Sequence, residues 1–416
     1  MVVKELKDKI RKALFSASSN LFSREEFREE DLKEAIRRAT SEVISLEAAV
    51  VSEPDKARVA SELFDELTGF GPLEGLIKDP EVTEIMINGP KKIYVEKAGK
   101  SRLSGLTFDD ESRLMFFIYK ILSPTRRHVD EYIPYTDVSM EDGSRVNIII
   151  SPLALDGPVV TIRKFLKNIA SADDLISLGT IDRRMADFLV ACVKARVNII
   201  FTGATGSGKT TTLNALSSYI ADGERIVTIE DTAELRLSQE HVVRLESRQP
   251  NIEGKGEVGL RELFRNSLRM RPKRIILGEI RGAEALDMLQ AICSGHAGSL
   301  AILHANSPQD AIYRLETMIL TSGVPLTLEA INRQIAAAVN LIVQHEQMPD
   351  GSRKITYITQ VNGLKNGQVA LEDIFLYESA EGAGNGSWKA TGVVPVFYPL
   401  FKKAGLNLSA DLFRKD

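Results

Sequence analysis

Residues Gly203, Ala204, Thr205, Gly206, Ser207, Gly208, Lys209 and Thr210 fit the spacing G-x-x-x-x-G-K-[ST]. Such a loop suits phosphate. Its glycines let the backbone curl until several N–H groups converge on phosphate oxygens. The Lys209 ammonium would meet the β and γ phosphates, and the Thr210 hydroxyl would reach a Mg²⁺ ion. Thr211 stands one step further on, near the α phosphate. The pattern requires a strand before it and a helix after it. The apolar run Asn198 to Thr202 provides the first, and Leu213, Leu216 and Ile220 recur at helical spacing to provide the second. The expected ligand is ATP with Mg²⁺. GTP is disfavoured because no Asn-Lys-x-Asp base-reading stretch occurs. A loop that binds without hydrolysing is the alternative, and phosphate release in Lys209→Ala separates the two.

Phosphoryl transfer also needs a metal and an oriented water. Acids placed after apolar strands serve both, because in a parallel sheet the C-terminal strand ends face the ligand crevice. Ile226 to Ile229 runs into Glu230 and Asp231, with Glu234 close behind. Ile275 to Gly278 runs into Glu279. Glu279 is expected to polarise the attacking water and to support the metal. Glu230 is expected to position water or metal. Capping of a helix could instead explain these carboxylates, Asp231 and Glu234 above all.

Two histidines flank another apolar run, His296 before Leu300 to Leu303 and His304 after it. His304, at a strand end, could contact the γ phosphate. His296 could equally be structural. Arg261, Arg265 and Arg269 recur every fourth residue, followed by Arg271, Lys273 and Arg274. They could bind nucleic-acid phosphates, reach a neighbouring subunit, or form a solvated face. Arg145 and Arg163 lie on strands of a preceding domain. A guanidinium brought over the γ phosphate from there would couple hydrolysis to domain movement. The residues alone leave both as surface arginines.

The elements that must position these groups alternate between strand and helix, which implies an α/β, mainly parallel sheet covered on both faces. Residues 1–65 are charge-dense with helical periodicity (Leu32, Ile36, Val43 and Ile44). Residues 66–165 read as an α+β domain of short strands and Gly or Pro turns, with strands near Glu84 to Asn88 and Ile93 to Glu96. Residues 166–178 read as a linker, 179–345 as the nucleotide-binding domain, and 346–416 as an extension with hairpin signals at Asp350-Gly351 and Asn366-Gly367.

Among 416 residues, 44% are hydrophobic and 26% charged, as in ordinary globular chains, and the net charge is −4. A general basic footprint for nucleic acid is missing. The start carries no apolar signal core. No apolar run approaches the roughly 18 residues that span a bilayer. A membrane role would therefore come through a partner. The two cysteines, Cys192 and Cys293, sit in apolar helical runs and read as buried reduced thiols.

Taken together, Thr202 to Thr211, Ile229 to Leu235, Leu277 to Arg281, and Gly295-His296 through His304-Ala305-Asn306 resemble the Walker A, Asp-box, atypical Walker B and His-box motifs of the secretion-superfamily ATPases. Leu67 to Leu73, Ile87 to Pro90, Val243 to Glu246, Asn251 to Glu257 and Leu268 to Pro272 look like the CpaF-type ATPases of tight-adherence (Tad) pili. The likeness covers about residues 60–380. It implies a PAS-like domain followed by a RecA-like motor domain, and a homohexamer with ATP and Mg²⁺ at the domain hinge. It also implies that Arg145 and Arg163 contact the γ phosphate. The ring would sit in the cytoplasm beneath an inner-membrane platform protein, driving pilus assembly, retraction or secretion. Relatives in type II secretion usually carry a tetracysteine zinc module, which this sequence lacks. A RecA-like nucleic-acid translocase and a nucleotide-gated scaffold with negligible turnover are the competing readings.

Overall fold

A computed structural model describes residues 9–10, 29–46, 51–97, 99–125, 127–164, 171–248, 250, 255–379 and 386–416. Residues 166–170 of the expected linker, and 251–254 of one quoted stretch, lie outside the described residues. The chain forms two compact units. The first comprises Met1–Lys97, Ser101–Thr136 and Val146–Lys164, and the second comprises Ala98–Lys100, Asp137–Arg145 and Phe165–Asp416.

In the first unit, α1 (Glu29–Leu46) and α2 (Glu53–Thr68) pack around Ile36, Ala39, Val43, Val59 and Leu63. The short α3 (Glu74–Lys78) leads into β1 (Val82–Asn88), β2 (Ile93–Lys97) and β3 (Lys100–Leu103). Helix α4 (Glu111–Leu122) is N-capped by Asp110, and β4 (Tyr135–Ser139), β5 (Arg145–Ile149) and β6 (Val159–Arg163) follow. The six strands order as β3-β2-β1-β6-β5-β4. Strand β1 pairs antiparallel with β2 and with β6. This is the PAS-like α+β fold. Its β1 alternates, with Val82, Ile85 and Ile87 buried, as a half-covered strand should.

The second unit opens with α5 (Ala172–Ser177), capped by Ser171, and α6 (Arg183–Lys194), capped by Asp182. The linker expected up to residue 178 therefore already contains helix. Next come β7 (Ile199–Gly203), α7 (Lys209–Ser217), β8 (Ile226–Glu230), β9 (Val242–Glu246), α8 (Leu260–Ser267), β10 (Arg274–Leu277), α9 (Glu284–Cys293), β11 (Leu300–Leu303), α10 (Pro308–Leu320) and α11 (Leu328–Ala338). The C-terminal part adds β12 (Leu341–Gln347), β13 (Arg353–Lys365), β14 (Gln368–Ser379), β15 (Gly386–Ala390) and α12 (Pro399–Lys403).

The nine strands order as β15-β14-β13-β12-β7-β11-β10-β8-β9. Strands β9 through β12 in that series run parallel, and β13 to β15 add on antiparallel. The central parallel strands are mostly apolar because both faces are covered. Ile199, Phe201, Ile276, Leu300, Ile302, Leu341 and Val343 join the core beneath α5, α6 and α7. The alternating partners Ile200, Ile275, Leu277, Ala301, Leu303 and Ile342 join the core beneath α8 to α11. This is a RecA-like α/β motor fold. Residues 346–416 complete it: Phe375, Phe397, Phe401 and Phe413 pack around Phe188 of α6, and Arg184 pairs with Asp416.

One expectation needs correction. Cys192 is buried, but Cys293 is exposed. Helix α9 spends Ala285, Leu286, Met288, Leu289, Ala291 and Ile292 on the core, and Cys293 falls on its outer face. Of the arginine series, for which three alternatives stood open, part is engaged within the chain. Arg261 and Arg265 both bind Asp287 of α9, at 2.7 and 3.1 Å. Arg274 is 1% exposed, with its guanidinium on Glu224 and on the carbonyls of Val193 and Gly298. Arg265, Arg269, Arg271 and Lys273 of that series stand exposed.

Candidate nucleotide-binding site

Strand β7 delivers the glycine-rich loop, and α7 begins at Lys209 with Gly208 as its left-handed N-cap. Gly203 has no room for a side chain. A Cβ there would stand 2.4 Å from the His345 carbonyl and 2.6 Å from Ser207 Oγ. Lys209 is buried and folds back over the loop, where its Nζ donates to the carbonyls of Gly203 (3.0 Å) and Ala204 (2.7 Å). Thr210 and Thr211 occupy the first turn of α7, both partly exposed.

Because β7, β11, β10 and β8 are neighbours, the groups at their C-terminal ends converge. His304 follows β11, and its Nδ1 lies 3.5 Å from Lys209 Nζ. An ammonium can only donate, so Nδ1 accepts and the ring proton sits on Nε2. That Nε2 faces Glu279 Oε1 at 3.3 Å. Burial first, then the Lys209 charge, hold the His304 imidazole below its ordinary pKa. Glu279 follows β10, and its Oε2 accepts from Arg281 at 2.6 Å. The same guanidinium donates to Asp231 Oδ2 at 2.9 Å. Asp231 in turn accepts from Ser247 Oγ. One continuous polar chain therefore runs Lys209, His304, Glu279, Arg281, Asp231.

Glu230 ends β8 and is 2% exposed. Its Oε2 accepts from the backbone N–H groups of Glu234 (2.7 Å) and Leu235 (2.8 Å). Burial pushes its carboxyl up to about 7, although those two amides pull the other way. The strand beside it must carry no side chain at Gly278, where a Cβ would meet Glu230 Cγ at 2.7 Å. The apolar-strand-Gly-Glu order around Glu279 thus has a packing cause. Arg145 is the first residue of β5 but clusters with the second unit, where it pairs with Glu234. Arg163 lies in the first unit, where it pairs with Glu84 across the β1–β6 ladder at 2.7 Å. His296 is turned to the end of α9, its Nδ1 3.1 Å from the Ala291 carbonyl, which makes it a helix-terminal anchor.

The donor set fits a phosphate group. Ser207 Oγ and Glu230 Oε1 are buried side-chain atoms without a hydrogen-bond partner in the protein. Such atoms cost free energy unless satisfied. A phosphate oxygen suits the first, and a water or a cation's hydration shell suits the second.

Three residues about the loop were not assigned from the sequence. Arg281 lay within a quoted stretch, but nothing in its spacing revealed its two carboxylate partners. His345 is fully buried on β12 with Nδ1 donating toward the Thr202 and Val343 carbonyls, at 3.1 and 3.2 Å. Burial lowers its pKa to about 4, so it is neutral. Arg353 approaches the loop from β13, and no local signal marks it.

A strand, a glycine-rich loop and a helix, with a lysine folded back and acids on the adjacent strand ends, define a P-loop nucleotide-binding protein of RecA-like architecture. Residues 66–354 match the family described as "Type II/IV secretion system protein". A putative conjugal transfer protein of Mycobacterium tuberculosis is 34% identical over 302 residues, covering 71% of this chain and 85% of that one. The type IV secretion system protein PtlH of Bordetella pertussis is 36% identical over 271 residues, covering 58% and 77%. The ATPase DotB of Yersinia pseudotuberculosis has a similar fold, with a TM-score of 0.50 at 17% identity over 73% of this chain and 80% of that one. The chain belongs to the type II/IV secretion system protein family, a family of secretion ATPases. Among the described residues, no helix is long and apolar enough to cross a membrane.

Proposed function

We propose that this chain is the motor ATPase of a Tad- or type IV-like pilus or of a secretion system. In this reading it works as a homohexamer in the cytoplasm, beneath an inner-membrane platform protein. The observation that carries the reading is the chain of contacts from Lys209 through His304, Glu279 and Arg281 to Asp231, which ties four motif stretches into one site.

Lys209 and the loop amides hold the phosphates of ATP, with Thr211 near the α phosphate. Thr210, with Glu230 and Glu279 through water, would hold Mg²⁺. When bound, the metal neutralises charge on the transferred phosphoryl group. Glu279 orients the attacking water. His304 lies between Lys209 and Glu279, where it can report the γ phosphate to the base. Arg145 and Arg163 would reach the γ phosphate in the closed arrangement. For Arg145 that requires exchanging Glu234 for phosphate, a cheap step for a partly exposed pair.

Mass measurement by light scattering with a non-hydrolysable ATP analogue and Mg²⁺ is expected to give a species of six chains. A mass that stays at one chain under all nucleotide conditions would defeat the ring. Pairing of Arg261, Arg265 and Arg274 with acids of their own chain counts against the nucleic-acid translocase.

A further inference from the structure

Strand β12 runs parallel to β7 with His345 opposite Gly203, so the chain past His345 continues alongside the glycine-rich loop. The return strand β13 opens with Arg353 opposite Gln347. That register brings Arg353 Nε to the Gly206 carbonyl at 2.8 Å. A Cβ at Gly208 would lie 3.3 Å from Arg353 Cδ, so the side chain follows the outside of the loop from Gly206 to Gly208. The next residue pins the strand. Lys354 Nζ donates to the Gly179 carbonyl at 2.5 Å and stands 5.3 Å from the centre of the Trp388 ring.

The C=O and N–H of a trans peptide point in opposite directions. With the Gly206 carbonyl held on Arg353, the Ser207 N–H points the opposite way and donates to the Ala204 carbonyl at 3.3 Å. Gly206 has a positive φ and no side chain to restrain it. An unanchored glycine peptide there has more orientations open to it.

Resting on the reading of this loop as a phosphate cradle, we propose that Arg353 is a positioning residue for the nucleotide phosphates. It fixes the orientation of the Gly206–Ser207 peptide, whose N–H rests on the Ala204 carbonyl until a phosphate oxygen takes that place, and it adds positive charge beside the loop. Its loss falls on affinity for the nucleotide diphosphate and triphosphate groups rather than on the chemical step.

The test compares the wild-type chain with Arg353→Gln, Arg353→Lys and Lys209→Ala. Three quantities are measured: affinity for a fluorescent ATP and ADP analogue, KM and kcat for ATP, and the melting midpoint with and without nucleotide. Arg353→Gln is expected to weaken binding of both analogues by about tenfold, the scale of one charge-assisted hydrogen bond. KM should rise accordingly while kcat changes far less. The nucleotide-free melting midpoint should hold, and its rise on adding ADP should shrink. Arg353→Lys should recover part of the affinity, since an ammonium can donate to the same carbonyl. Wild-type affinity in Arg353→Gln would overturn the proposal. So would a loss matched by a lower nucleotide-free midpoint that Arg353→Lys does not restore, which would make the residue merely structural. A wild-type chain that binds neither analogue would fail together with the phosphate-cradle reading itself, whereas normal wild-type binding, lost in Lys209→Ala and kept in Arg353→Gln, would sink the Arg353 proposal alone.

Discussion

Glu279→Gln should lower ATP turnover at saturating substrate by about 10²- to 10⁴-fold, the range of a positioned general base, while nucleotide affinity stays within a few-fold of wild type. The substitution keeps size and shape and removes the charge. Glu279 is placed for that role by its contacts. His304 Nε2 at 3.3 Å and Arg281 at 2.6 Å hold one carboxylate oxygen each, and the P-loop lysine lies on the far side of His304. Single-turnover phosphate release together with equilibrium binding separates the effects. Lost binding would point to a structural carboxylate. Unchanged turnover would take Glu279 out of the chemistry and pass the role to Glu230, the other strand-end acid at the site.

The second large effect is on stability and lies away from the site. Arg274→Ala should destabilise the motor unit by about 3–5 kcal/mol, because it leaves the partly buried Glu224 without its bidentate partner. At about 2–4 °C per kcal/mol for a unit of this size, the melting midpoint should fall by roughly 6–20 °C. Arg196 also holds Glu224, at 2.9 Å, and limits the loss. Replacing both Arg274 and Glu224 by methionine should restore much of the stability, since removing a whole buried pair is far cheaper than breaking it. A single-mutant midpoint within a degree or two of wild type would show that the pair contributes little.

These two residues mark the border of what the sequence discloses. Glu279 was legible because an apolar run ending in an acid has one reading in a parallel sheet: both faces are covered and the strand end faces the ligand. The same logic located Glu230 and His304, and the loop itself was fixed by its spacing. Arg274 was read as part of a basic patch, because it follows Arg271 and Lys273 directly after the series Arg261, Arg265 and Arg269. The structure differs since α8 ends at Ser267 and Arg274 already belongs to β10, where it is enclosed. Arg261 and Arg265 do share a helix face, but Asp287, on another helix, pairs with both. Periodicity gives the face of an element and says nothing of what packs on it.

Arg281 and Arg353 escaped for a related reason. Their partners are Asp231 and the Gly206 carbonyl, fifty and more residues away, and only the strand order brings them together. The fold class was easier. Alternating strands and helices imply a covered parallel sheet, and Asn366-Gly367 forms the two-residue turn between β13 and β14 as its composition suggests. The C-terminal extension was read only from its hairpin signals at Asp350-Gly351 and Asn366-Gly367. It proves integral through aromatic packing on Phe188 that no local pattern encodes.

The most direct test of the account is Mg²⁺-dependent phosphate release from ATP by the purified chain, alongside Lys209→Ala, with and without single- and double-stranded DNA. The account predicts release that requires Mg²⁺, falls to background in Lys209→Ala and is indifferent to DNA. Release that persists in Lys209→Ala, or none in the wild-type chain under any nucleotide or metal condition, would contradict it. Strong stimulation by DNA would turn the same site into that of a nucleic-acid translocase.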